Sequence, residues 1–123
     1  MKILMGLVFF FQVNAFAKEI SGEVTLAKGV TLKPGGVLYV FAKRPGVPMP
    51  VAVLRVPEPK LPYKFSVSEK NILTPGTPFD GPFIITARFS PSGDAMDKSG
   101  VEGSVNEPVK VGKSDLKIEL KGK

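Results

Sequence analysis

The sequence predicts an all-β fold, an immunoglobulin-like two-sheet β-sandwich of about seven strands. Three observations carry that expectation. Short apolar runs with period-two alternation recur at roughly ten-residue spacing. Twelve Pro and 13 Gly punctuate them, well above the usual share, as short elements joined by tight turns require. No stretch keeps a 3.6-residue apolar period long enough for a stable helix. A small closed barrel is the alternative arrangement of the same strands.

In order, Ile20, Gly22, Val24 and Leu26 alternate with Ser21, Glu23 and Thr25, the pattern of a half-buried strand. Lys33-Pro34-Gly35-Gly36 is a turn by composition. Residues 37–42 (VLYVFA) are continuously apolar, β-branched or aromatic, which suits a central strand buried on both faces. Residues 44–48 turn the chain, and residues 51–56 (VAVLRV) form the next strand, stopped by Pro57 and Pro59. Tyr63, Phe65 and Val67 alternate with Lys64 and Ser66 as a fourth. Ser68 is a good N-cap for a single helical turn reaching Leu73.

Residues 74–82 hold three prolines and two glycines and must be an irregular loop. Phe83, Ile85, Ala87 and Phe89 then share one strand face, with Thr86 and Arg88 on the other. After a polar loop at 90–100, Val101, Gly103 and Val105 read as a weak edge strand. Val109 and Val111, followed by Leu116, Ile118 and Leu120, close the domain as a solvated strand.

Residues 1–17 read as a signal peptide. Lys2 precedes an unbroken apolar run over 3–11, and Ala15-Phe16-Ala17 gives the small-x-small cleavage pattern. Gln12 and Asn14 end that run far short of the roughly 20 residues a membrane span needs. The expected organisation is therefore a signal at 1–17 and one domain at 18–123, exported to the periplasm with no stable membrane span after cleavage. Full secretion and retention by an uncleaved anchor are the alternatives. The formal charge of +6 favours acidic protein surfaces, lipid head groups or wall polymers over nucleic acid as partners of an exported protein.

The chain has no cysteine and no histidine. No disulfide supports the fold, so an apolar core must. Catalysis by His, Cys or a His-activated Ser is unavailable, and the carboxylates sit mostly in turns or on solvent-facing strand positions, so the chain reads as a non-enzyme. Zinc and blue-copper ligand sets are missing too, and no cofactor is expected. Met49 and Met96 are the soft donors left after signal removal and underlie a copper-chaperone alternative. Asp94 and Asp97 hint at calcium, but their spacing fits no EF-hand and a polar turn explains them.

Several stretches, in order, carry a family resemblance: Ile20-Ser21-Gly22-x-Val24-x-Leu26, residues 38–43 (LYVFAK), residues 48–55 (PMPVAVLR) and Leu61-Pro62-x-x-Phe65. Ala87-Arg88-x-Ser90-x-Ser92-Gly93-x-Ala95 and Pro108-Val109-x-Val111-Gly112 complete them. Together they resemble the C-terminal immunoglobulin-like domain of cytochrome c maturation proteins of the Ccm/CycH type, where the domain follows a membrane-anchored tetratricopeptide region. The resemblance covers the domain alone, so a stand-alone exported domain is the expectation. The family's Gly-Asp-Leu-x-Gly element has as counterpart Gly100-Val101-Glu102-x-Ser104 or residues 99–103, without its Asp. The resemblance implies a chaperone-like module that binds unfolded apocytochrome c and passes it to the haem-ligation machinery, and the absence of Cys would prevent mixed disulfides with the partner's thiols. A general envelope adaptor without a cytochrome link is the competing reading.

Four residues are candidate partner contacts. Met49, stiffened by Pro48 and Pro50, either plugs the end of the core, the commoner outcome, or offers an adaptable apolar contact. Arg55 and Arg88 interrupt apolar strands and either face solvent or a partner, or pair with a carboxylate such as Glu102. Phe79, in the 74–82 loop, is either an exposed aromatic anchor or tucked beneath the loop.

Overall fold

Seven strands organise residues 18–122, the part of the chain described by a computed structural model. They are β1 (Glu19–Leu26), β2 (Val37–Lys43), β3 (Pro50–Pro57), β4 (Tyr63–Ser68), β5 (Phe83–Ser90), β6 (Glu102–Val109) and β7 (Leu116–Leu120). The expected signal peptide at 1–17 lies outside the described residues. Among the described residues no helix is long and apolar enough to cross a membrane.

The strands form a three-stranded sheet, β4-β1-β7, and a four-stranded sheet, β3-β2-β5-β6. The two pack as a sandwich, as the alternating patterns require. Each strand turns its apolar residues inward: Ile20 and Val24, Leu38 and Val40, Phe65 and Val67, Phe83 and Ile85, Ile118 and Leu120 meet in one core cluster. The closed barrel does not form. On one side the sheets approach where β6 meets β7, through the amide of Lys121 donating to the Glu102 carbonyl at 3.1 Å and that of Glu102 to the Lys121 carbonyl at 3.3 Å.

The single helical turn is present at Glu69–Asn71. Ser68 caps it, its hydroxyl accepting from the Lys70 amide at 3.2 Å while the Asn71 side chain accepts from the Ser68 amide at 2.9 Å. Two readings of the C-terminal third change. The weak edge strand is a full eight residues and ends at Val109, while Val111 lies in the turn that follows it. A register irregularity opposite Phe83 and Ile85 lets β6 continue past Pro108, which an edge strand tolerates because its missing N–H faces away from the ladder.

The chain then turns, with Asp115 at φ 65°, and β7 runs parallel to β1. That turn is tied to β1 by Gly112 donating to the Glu19 carbonyl at 2.8 Å and Ser21 to the Lys113 carbonyl at 3.0 Å. Two glycines permit close backbone approaches to β7. A Cβ on Gly22 would collide with the Leu116 carbonyl of β7, and one on Gly103 with the Glu119 carbonyl where the sheets converge. Neither obstacle is a side chain that can swing away. Gly103→Ala is therefore expected to cost about 1–3 kcal/mol, read as a lower denaturant midpoint at unchanged slope.

Candidate functional site

The outer faces of the two sheets differ in kind. On the three-stranded sheet, Ser21 and Glu23 of β1, Lys64 and Ser66 of β4 and Lys117 and Glu119 of β7 face outward, opposite the buried set. They satisfy one another: the Ser66 hydroxyl donates to Glu19 Oε2 at 2.7 Å, and Lys117 Nζ lies 3.4 Å from Glu23 Oε1. This is a solvated surface.

On the four-stranded sheet the outer face is apolar and cationic. One rung of the ladder runs Arg55–Tyr39–Arg88–Glu102, and the next Val53–Phe41–Thr86–Ser104. Two of the four sequence candidates, Arg55 and Arg88, thus share a rung on either side of Tyr39. Val37, Tyr39 and Phe41 are each buried there, forming a second apolar cluster. The cover is the 90–100 loop. Tyr39 donates its hydroxyl to the Gly93 carbonyl, Arg88 Nη1 donates to the Ala95 carbonyl at 2.8 Å, and Ala95 packs on the cluster.

Arg88 is the pin of this arrangement. Its Nε donates to Glu102 Oε1 at 3.1 Å, and its guanidinium carbon lies 5.1 Å from the centre of the Phe41 ring. Of the two readings for Arg88, pairing with Glu102 is the one the geometry realises. The loop is braced from within by Asp97. Its carboxylate accepts from the Ser92 hydroxyl at 2.6 Å and the Ser99 amide at 2.9 Å. Those bonds, the Ser92 hydroxyl first, hold the Asp97 carboxyl well below the usual carboxylate range. Asp94 accepts from the Met96 amide at 2.9 Å, so both loop carboxylates close turns of their own loop. Among the described residues no three His, Cys, Asp or Glu side chains cluster in a metal-binding arrangement.

Phe79 is in the core. Its ring is buried and stacks on Phe83 with centroids 4.9 Å apart, so the loop folds over it and no partner can reach it. Arg55 faces solvent beside Tyr39. Met49 goes the other way from Phe79: at 70% exposure it does not plug the core. Pro48 and Pro50 hold its segment at the tip of the β2–β3 connection, beyond the reach of the sandwich interior.

Met49 is not alone there. Val47 is 46% exposed in the same connection, and Leu73 is 53% exposed with its amide bonded to the Val51 carbonyl at 3.0 Å. Three of the four exposed large apolar residues among the described residues therefore gather around the start of β3, Met96 being the fourth. Beside them a shallow groove of about 330 Å³ is lined by Lys43, Arg44, Gly46, Val47, Pro48 and Ile84. Arg44 bonds Asp80 Oδ1 at 3.0 Å and the Pro78 carbonyl at 3.2 Å. Sequence reasoning missed Val47 and Leu73. The signal for Val47 was present, since a β-branched residue inside a Pro/Gly turn has no core to enter. Leu73 carried none, because its exposure depends on how the 68–73 turn docks on β3.

Arg88→Ala should cost about 2–3 kcal/mol, because it strips a buried cation from Glu102, the Ala95 carbonyl and Phe41 together; Glu102→Gln, which spares the last two, should cost less in the same thermal melt. The pH dependence has a definite sign. A carboxyl depressed by folding contributes stability that is complete above its unfolded value, about 3.9, and fades as pH falls below it. Amide exchange at Ser99 should accelerate relative to the core strands on that descent, and Asp97→Asn should show the faster exchange already at neutral pH.

A protein of Aquifex aeolicus (strain VF5), itself functionally uncharacterised, is 36% identical over 63 residues, which span 51% of this chain and 42% of the relative. The chain thus covers less than half the length of that curated relative. No solved structure matches it. A family model described as the Ig-like domain of cytochrome c-type biogenesis protein H matches residues 20–121, from the first buried residue of β1 to just past the end of β7, and the chain belongs to that family.

Proposed function

We propose that this chain is a non-catalytic binding module that holds apocytochrome c during cytochrome c maturation, on the outer side of the cytoplasmic membrane. Family membership points to cytochrome c maturation. The export reading rests on the sequence pattern of residues 1–17. The holding role rests on one observation above the others: Val47 and Met49 stand exposed in the connection that carries Lys43 and Arg44, with exposed Leu73 bonded to Val51 at the start of β3. Exposed apolar side chains collected in one place mark a contact surface, whereas the same residues scattered singly would not.

The chemistry of the surface suits an unfolded client. Met is unbranched and polarizable, so one Met49 accommodates many client side chains. The sandwich behind it stays fixed, so binding orders the client rather than the module. A chain free of cysteine cannot be trapped by the thiols that a c-type apocytochrome carries until haem is attached.

The purified protein should bind apocytochrome c with a Kd at or below about 100 μM, equivalent to about −5.5 kcal/mol, and bind the haem-loaded form more weakly, both measured by calorimetry. No binding of apocytochrome at that concentration would overturn the reading.

A further inference from the structure

The groove at the β2–β3 connection can be assigned an occupant. It is a shallow, open groove lined by Ile84, Val47 and Pro48 as apolar residues and by Lys43 and Arg44 as cations. Residues 43–49 contain no acidic side chain. Arg44 already demonstrates which group these cations accept, since it draws in the Asp80 carboxylate at 3.0 Å. Lys43 lies with its ammonium 5.7 Å from the centre of the Phe41 ring, and no carboxylate among the described residues comes within ion-pair distance of it. An apolar groove beside an unneutralised cation is complementary to an apolar side chain that travels with a carboxylate.

We infer that this groove receives a segment of unfolded polypeptide in which an aliphatic side chain stands next to Asp or Glu, the aliphatic group entering between Val47 and Ile84 and the carboxylate pairing with Lys43. The inference rests on the proposed holding of apocytochrome and names the client feature that is held. An anionic membrane is the other acidic, apolar partner to weigh, and the observations favour the peptide. Lipid surfaces are engaged by clusters of about four to eight basic residues, whereas two stand here and one is committed to Asp80. Met49, next in the chain after Pro48 of the lining, is exposed, so neighbouring client residues gain contact without any demand on their identity.

The test uses the full chain and short fluorescent peptides read by anisotropy. A peptide alternating Leu with Glu should bind, while those alternating Leu with Lys, or Gly with Glu, should bind at least about tenfold more weakly. Val47→Asp and Lys43→Glu should each weaken the Leu–Glu peptide by about tenfold, with unchanged circular dichroism and melting temperature, and Met96→Asp should leave it unaltered. Equal binding of the Glu and Lys peptides, or an effect of Met96→Asp equal to that of Val47→Asp, would overturn the inference. So would capture of phosphatidylglycerol vesicles, sensitive to Lys43→Glu, without peptide binding. Apocytochrome binding that survives both groove variants would overturn the groove and keep the holding role. Peptide binding without apocytochrome binding would keep the groove and remove that client.

Discussion

The outer face of the four-stranded sheet has to be covered, and among the described residues no helix covers it. β2 lies between β3 and β5 and is apolar on both faces, so leaving one face in water would expose Val37, Tyr39 and Phe41 together. A loop supplies the lid. Loops bring unsatisfied backbone carbonyls with them, and burying those is costly unless donors are waiting. Tyr39 and Arg88 are those donors, aimed at Gly93 and Ala95. Arg88 also places its charge against Glu102 and the Phe41 ring, so one buried cation joins strand, loop and aromatic cluster.

This solution explains the distribution of exposed apolar surface. The three-stranded sheet meets water with polar side chains, and the middle of the four-stranded sheet is closed by the loop. Apart from Met96 on the loop itself, what remains open is the margin around the start of β3, where Val47, Met49 and Leu73 stand in water. The proposed binding role therefore rests on loop-end residues carried by a scaffold whose central strands are packed from both sides, the usual division of labour in β-sandwiches. Removing a client from that margin need not disturb the fold, which suits a partner that must be released.

The reasons for success and failure in reading the chain are specific. β2 was legible as a doubly buried central strand because an unbroken VLYVFA run leaves no face for water. The Arg88–Glu102 pair was legible because an arginine inside an apolar strand needs a carboxylate, and Glu102 was among those within reach. Phe79 and Met49 offered no such lever. Each sits in a Pro-rich segment whose path is set by contacts remote in sequence, and local chemistry does not say whether such a path passes over the core or away from it. Phe79 is drawn in by Phe83, and Met49 is carried out by the β2–β3 connection. The β6–β7 region was misdivided for a related reason: alternation at Val109 and Val111 continues the pattern of a strand, while the turn before β7 is held by bonds to β1 that the local sequence does not announce.

The sequence by itself determined the all-β class, most of the strands and the reliance on an apolar core without disulfides, which follow from side-chain period, turn residues and residue types, all of them local properties. The family was legible in the ordered motifs the chain shares with it. The tertiary structure alone decided that seven strands divide three and four, that β1 pairs parallel with β7, and that Arg55 and Arg88 share a rung. It also decided which apolar loop residues stay in water. Those outcomes depend on which distant segments meet, and strand pairing is chosen by the packing of the whole sandwich rather than by any one strand.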